Sequence, residues 1–151
     1  MILHVAAFSE LGPEALYGLL RLRSDVFVVE QQCPYPDLDG RDLEPGTRHL
    51  WLAPDGARAD PAAYLRVVRE PDGTARIGRV CTVEKARGAG LSAMLVSAAI
   101  DLVGEVSPCV LDAQSYLVGF YERFGFGRSG AEFVEDGIPH TPMRRAPARR
   151  S

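Results

Sequence analysis

The residues with the clearest chemical potential lie together in Arg87-Gly88-Ala89-Gly90-Leu91-Ser92. They follow a β-branched apolar run, Val80, Cys81, Thr82 and Val83, that reads as a mostly buried strand, and then a short charged turn, Glu84-Lys85-Ala86. From Leu91 the apolar positions Met94, Leu95, Ala98 and Leu102 recur at helical intervals, and Gly104 stands where a C-terminal cap would close the helix. A turn of this kind aims unpaired backbone N–H groups at one point, and the helix dipole adds to its attraction for an anion. Gly88 and Gly90 place no Cβ between backbone and phosphate, Arg87 supplies a planar charged fork, and Lys85 adds a more diffuse charge. The spacing favours capture of a pyrophosphate.

Three readings compete on this pattern alone. The glycines can serve only a tight turn. A P-loop is excluded, because its Gly-Lys-Ser/Thr ending is absent. A dinucleotide site is formally met by Gly88-Ala89-Gly90-Leu91-Ser92-Ala93, with Asp112 near the ribose-binding distance. In that design the strand runs directly into the first glycine, whereas Glu84-Lys85-Ala86-Arg87 intervene here.

Composition narrows the function further. The chain has 151 residues, enough for one ordinary domain with a single sizeable core, expected over 1–145 with a loose tail over 146–151. Twenty acidic against seventeen basic residues give a net charge of -3, which argues against a general nucleic-acid binder and is compatible with a cationic small substrate. No basic leader or membrane-length apolar run is present, so a cytoplasmic protein without membrane contact is expected, with a homodimer left open. Cys33, Cys81 and Cys109 are odd in number and far apart, which indicates neither disulfides nor a zinc cluster. Asp37-Leu38-Asp39-Gly40-Arg41-Asp42-Leu43-Glu44 is acidic, but its glycine is fourth and Arg41 fifth, the wrong order for a calcium loop, so it reads as a solvated loop.

The elements that must position the loop follow from periodicity. Ile2 to Phe8 reads as a strand and Gly12-Pro13-Glu14 as the start of a helix carrying Leu16, Leu19, Leu20, Leu22, Val26 and Phe27. His49 to Ala53, Ala62 to Arg69 and Ala75 to Val83 form an antiparallel meander, the last two strands joined by Pro71-Asp72-Gly73-Thr74. Gly78 marks a bulge or a close backbone approach. The helix from Leu91 crosses to a strand Cys109 to Gln114, making one parallel pair in a mostly antiparallel sheet. A second helix carries Leu117, Phe120, Tyr121 and Phe124 and ends at Gly125. Phe126 to Val134 and Ile138 to Arg144 close as a hairpin around Glu135-Asp136-Gly137, with Pro139 and Pro142 pushing the last strand toward an edge. The fold class is mixed α/β with about four helices.

Arg87-Gly88-Ala89-Gly90-Leu91-Ser92 resembles the R-x-x-G-x-G/A pyrophosphate loop of the GNAT superfamily of N-acyltransferases, with Ser92 in place of the usual Gly or Ala. Phe120-Tyr121-Glu122-Arg123-Phe124-Gly125-Phe126 is similar to its F-Y-x-x-x-G-F segment. Leu22 to Tyr35, Asp37 to Asp42 and Glu135 to His140 resemble the ElaA-like family within it. The resemblance implies a GNAT fold and acetyl-CoA as cofactor, held by Val80, Cys81 and Thr82, by Arg87 through Ser92, by Gln114 and by Tyr121. It also implies that Tyr121 is the proton donor to the leaving thiolate. An amine acceptor, whether a small molecule or a peptide amine, must lose a proton before it attacks, and Glu30 is the first candidate for that base. Asp112, Glu132 and His140 are the alternatives. Main-chain N–H groups on Val80 to Val83 are placed to stabilise the thioester oxygen.

Overall fold

The computed structural model describes residues 1–104 and 107–147. Its centre is one sheet built from β1 (Ile2–Ala6), β2 (Arg48–Ala53), β3 (Ala63–Arg69), β4 (Ala75–Thr82), β5 (Cys109–Gln114), β6 (Gly127–Arg128), β7 (Phe133–Glu135) and β8 (Ile138–Arg145). The spatial order is β1-β2-β3-β4-β5-β8-β6, with β7 also on β8. Every pairing is antiparallel except β4 with β5. A dinucleotide fold needs a mostly parallel sheet, so that reading falls.

Three α-helices occur among the described residues, α1 (Gly12–Ser24), α2 (Leu91–Val103) and α3 (Val118–Glu122), rather than about four. The first continues as a wider π-helical segment, Asp25–Glu30, which carries the chain on toward the sheet. None of these helices is long and apolar enough to cross a membrane. Two apolar layers clothe the sheet because side chains alternate along each strand. Leu50, Leu52, Leu65 and Val67 meet α2 and α3 on one face, while Trp51, Ala53, Tyr64 and Cys81 meet α1 on the other.

The helix count is one of four sequence expectations that need correcting. On α2 the buried positions are Leu91, Leu95, Val96, Ala99 and Val103, while Met94 and Leu102 are exposed, because a helix apolar around most of its circumference offers no single stripe. The closing hairpin is broken into β6 and β7, and β8 lies inside the sheet between them and β5. Its prolines are accommodated because Pro139 lies beyond the last β5 partner and Pro142 faces the break between β6 and β7. The bulge expected at Gly78 is present, where the register shifts between Tyr64 and Arg66, and the residue of positive φ beside it, at 54°, is Arg79. The tail expected from Ala146 lies largely outside the described residues.

The fourth correction concerns the acidic loop, which is not simply solvated. Arg23 on α1 is 1% exposed and donates to Asp37 Oδ2 at 2.9 Å and Asp42 Oδ1 at 2.7 Å. Arg66 on β3 donates to Asp42 at 3.0 Å and also pairs with Asp39. Arg79 Nε lies 2.8 Å from Asp37 Oδ1, off the angle of a hydrogen bond, so the two attract as charges. Burial works against ionisation of Asp42, yet the hydrogen bond and charge of Arg23, with those of Arg66, outweigh it and hold the carboxyl below its ordinary range. Asp39 is held lower still, against the cost of burial, by hydrogen bonds from Arg66 and the Arg41 backbone. His49 is buried between the Tyr64 hydroxyl and the Asp42 carbonyl, and burial pushes its imidazole down from the ordinary value.

All three groups have depressed folded values, so the stability they contribute is present above their unfolded pKa and lost as pH falls. The loss should begin below about 6.5 through His49 and steepen below about 4 through Asp39 and Asp42. Asp42→Ala leaves two buried guanidinium groups short of a counter-charge and should cost about 3 to 5 kcal/mol at neutral pH. Urea denaturation of both proteins between pH 7 and pH 3 checks this, because the variant must also lose part of the acid-dependent slope.

Candidate active site

β4 and β5 touch only at their starts, Ala75 with Cys109 and Arg76 with Val110, and then part. Among the described residues, no strand lies beside the β4 edge beyond Arg76 on the side that would face β5. The N–H of Val83 donates to Ala62, so by the alternation of an antiparallel strand Val80 and Thr82 turn their main-chain groups away from β3, toward the gap. A groove of about 480 Å³ occupies that gap and is lined by Val80, Cys81, Thr82, the turn residues Arg87, Gly88 and Gly90 through Ala93, Gln114 and Tyr121, while Ala89 of the same turn does not line it.

The turn before α2 has the geometry its glycines promised. Gly88 and Gly90 have φ of 84° and 78°, and the space where each Cβ would stand is open. Among the described residues, the N–H groups of Gly88 through Ala93 have no protein acceptor. Ser92 Oγ lies 2.7 Å from Thr82 Oγ1, which ties the helix start to β4. Arg87 Nη2 bonds both oxygens of Glu30, at 2.7 and 2.8 Å, and its Nε donates to the Thr82 carbonyl at 3.1 Å. The expected phosphate fork and the first-named base are therefore partners of each other. Both side chains are well exposed, and a pair of this kind is worth about 0 to 1 kcal/mol, so little holds Arg87 back from a stronger anion. Lys85 lines a different cavity, beside α1.

Tyr121 is 5% exposed, edge-on to Phe120 at 5.0 Å and Phe126 at 6.3 Å. The Schellman stop behind it, with Phe126 N–H on the Tyr121 carbonyl and Gly125 at φ 89°, fixes its place at the end of α3. Burial pushes its phenol up to about 12, and its hydroxyl has no partner among the described residues. Burial likewise pushes the Cys81 thiol up, which leaves it a packing residue and a poor nucleophile. Sequence reasoning missed Arg123, which lies over the Phe120 ring at 5.2 Å and lines the groove. No local spacing marked it, although a basic residue at the end of a helix facing an anion site was a usable signal.

On the far side of the gap lies a second cavity of about 290 Å³, which shares Phe27, Gln31 and Gln114 with the groove. Its arginines are all engaged: Arg41 and Arg76 with Glu70, Arg66 with Asp39, Arg79 with Asp37. Asp112 is bound to Arg76 at 3.2 Å. Glu135 and Asp136 have no ion-pair partner among the described residues, so the uncompensated charge in this cavity is acidic. His140 also lines it, and Gly78 forms part of its wall. Glu132 lines neither cavity.

The chain is similar in sequence and in fold to known proteins. The family model described as an acetyltransferase (GNAT) domain matches residues 25–146. A UPF0039 protein of Mycobacterium tuberculosis is 53% identical over 140 residues, covering 90% of this chain and 87% of its own. ElaA of Escherichia coli is 41% identical over 91% of each chain, and its crystal structure superposes with a TM-score of 0.87 over 95% of this chain and 98% of that one. An acyl-CoA N-acyltransferase from Pseudomonas aeruginosa superposes with a TM-score of 0.89 at 38% identity, over 97% of this chain and all of the other. Matches of this extent and identity are beyond chance likeness, and the chain belongs to the GNAT acetyltransferase family as an ElaA-like acyltransferase.

Proposed function

We propose that the chain is an acetyl-CoA-dependent N-acetyltransferase that acts on a primary amine by direct attack on the thioester. The observation that carries this reading is the fan of unpaired N–H groups from Gly88 to Ala93, set at one end of a groove that runs along the parted edge of β4. A pyrophosphate fits that fan because nothing occupies the Cβ space of Gly88 or Gly90. Acetyl-CoA as substrate would supply the activated acyl group; the protein supplies position, charge and protons.

In this scheme Arg87 leaves Glu30 for the phosphates and exchanges a screened ion pair for charge-assisted bonds. Val80 and Thr82 offer main-chain N–H groups to the thioester oxygen as charge develops there. Tyr121, protonated at neutral pH, gives its hydrogen bond or proton to the departing sulfur. The acceptor enters from the second cavity, where the free carboxylates of Glu135 and Asp136 favour a cation over an anion. Gln114, which lines both cavities, stands at their junction.

A thiol-release assay with acetyl-CoA tests the reading against a linear polyamine, an arylalkylamine, an aminoglycoside and a peptide with free α-amine and lysine. Release with at least one amine, and a thermal shift with acetyl-CoA but not NAD or FAD, are expected. No release with any of them would leave only a cofactor-binding protein. Arg87→Ala should weaken acetyl-CoA binding by about 1.5 to 3 kcal/mol in calorimetry, and Lys85→Ala by much less, since Lys85 faces another cavity. Gly90→Val should abolish binding in the same titration with the circular dichroism retained, because a branched side chain resists a φ of 78° and fills the phosphate's approach. Tyr121→Phe should keep acetyl-CoA affinity within a few-fold while single-turnover release of CoA slows by roughly 10² to 10⁴. An unchanged single-turnover rate would return Tyr121 to the core.

A further inference from the structure

Of the four groups named as bases, three are spoken for or misplaced. Glu30 stands beside Arg87 at the phosphate end of the groove and does not line the second cavity, Asp112 holds Arg76, and Glu132 lines neither cavity. His140 differs in each respect. Its Nδ1 lies 2.8 Å from the carbonyl oxygen of Ile138. A carbonyl can only accept, so Nδ1 carries the hydrogen, and in the neutral ring Nε2 is left with its lone pair. Among the described residues Nε2 has no partner. The ring is held flat against its cross-strand neighbour Phe133, with centroids 5.6 Å apart and planes inclined by 19°.

Its place in the sheet is as telling as its tautomer. His140 is the register partner of Gln114, the last residue of β5. Paired residues of antiparallel strands project from the same face, about 4.5 to 5.5 Å apart at Cβ. Gln114 lines both the groove and the second cavity, so His140 stands beside the junction where acceptor and acyl group must meet. It is half-buried there, open enough to reach an incoming ammonium.

We propose that His140 is the base of this enzyme, taking the proton of the acceptor ammonium through Nε2. This rests on the amine-acetylating reading above. The R–NH3⁺ group gives one proton to Nε2, and the freed lone pair forms the C–N bond to the acyl carbon as the C–S bond breaks. The sulfur takes a proton from Tyr121, the new amide nitrogen sheds its second proton to restore the phenol, and the imidazolium returns its proton to water. One H⁺ is released in total, as the conversion of an ammonium and a thioester into an amide and a thiol requires. Glu135 and Asp136 line the same cavity and meet the positive charge that His140 gains.

The test uses the full chain, acetyl-CoA and the fastest amine of the panel. Ring-nitrogen NMR of the free protein should show His140 as the Nδ1–H tautomer; an Nε2–H tautomer overturns the proposal before any assay. His140→Asn keeps an amide donor for the Ile138 carbonyl but has no Nε2. It should bind acetyl-CoA within about threefold of wild type while its single-turnover rate falls by roughly 10² to 10⁴. His140→Ala should behave likewise and recover rate with added imidazole, which a merely structural role would not do. A wild-type rate in His140→Asn, or a slow His140→Ala deaf to imidazole, overturns the assignment while leaving the acetyltransferase intact. A wild type that binds acetyl-CoA yet acetylates no amine takes the function and its base down together.

Discussion

The separation of β4 from β5 is the constraint on which the site depends. Backbone N–H and C=O groups are obligatory hydrogen-bonding groups, and a strand edge in the middle of a sheet is ordinarily satisfied by its neighbour. Here the neighbour leaves after Arg76 and Val110, so the rest of the β4 edge is left to side chains such as Arg87, which reaches the Thr82 carbonyl, and to water or a ligand. The same parting opens the start of α2, where six successive N–H groups from Gly88 to Ala93 have no acceptor among the described residues. Two kinds of unsatisfied backbone thus face one groove, and each suits a different part of an acyl-CoA. The strand edge suits an amide-bearing chain that ends in a thioester, and the helix start suits the phosphates.

Something must hold the parted strand in place, since it has lost one neighbour. Arg79 carries the bulge and the positive φ, and its guanidinium lies 4.9 Å over the Tyr35 ring while pairing with Asp37. Asp37 is tied to Arg23 on α1, and Asp42 ties Arg23 to Arg66 on β3. A strained residue at a cleft is thereby over-determined by charges drawn from a helix, a loop and two strands. Replacing such a buried network by hydrocarbon would often cost nothing in stability, so its retention fits a role in placing the bulge and the cavity wall. Most of the wall's charge is spent in that work, which is why Glu135 and Asp136 alone remain to greet a cation.

How legible this was from the sequence depended on distance along the chain. The glycine turn, the α2 start at Leu91, the meander and the Asp136-Gly137 hairpin turn were readable because each is settled by neighbouring residues. Asp37 and Asp42 were not, because their acidic loop looks solvated until α1 brings Arg23 against it. Arg23 itself sits among apolar helical positions, where an arginine ordinarily points outward. The union of Glu30 with Arg87 spans a still longer gap in sequence, 57 residues, so each was assigned a task as though the other were elsewhere. The stripe on α2 failed for another reason: too many apolar residues, rather than too few, leave the buried face undetermined.

The two proton-handling groups we propose lie in environments that suit opposite tasks. Tyr121 stands in the aromatic end of the core, where desolvation raises its phenol and keeps it protonated, ready to donate but slow to lose the proton outright. A thiolate leaving into that apolar region is itself destabilised, which raises its basicity and narrows the gap between donor and acceptor. His140 instead stands in the wetter, acidic cavity, with one ring nitrogen fixed as a donor and the other open. An amine arriving there as a cation meets carboxylates first and a proton acceptor next, and only the neutral form is drawn on toward the apolar groove. Separation of the two environments by the parted strands lets one site run a base on one side and an acid on the other at a single pH.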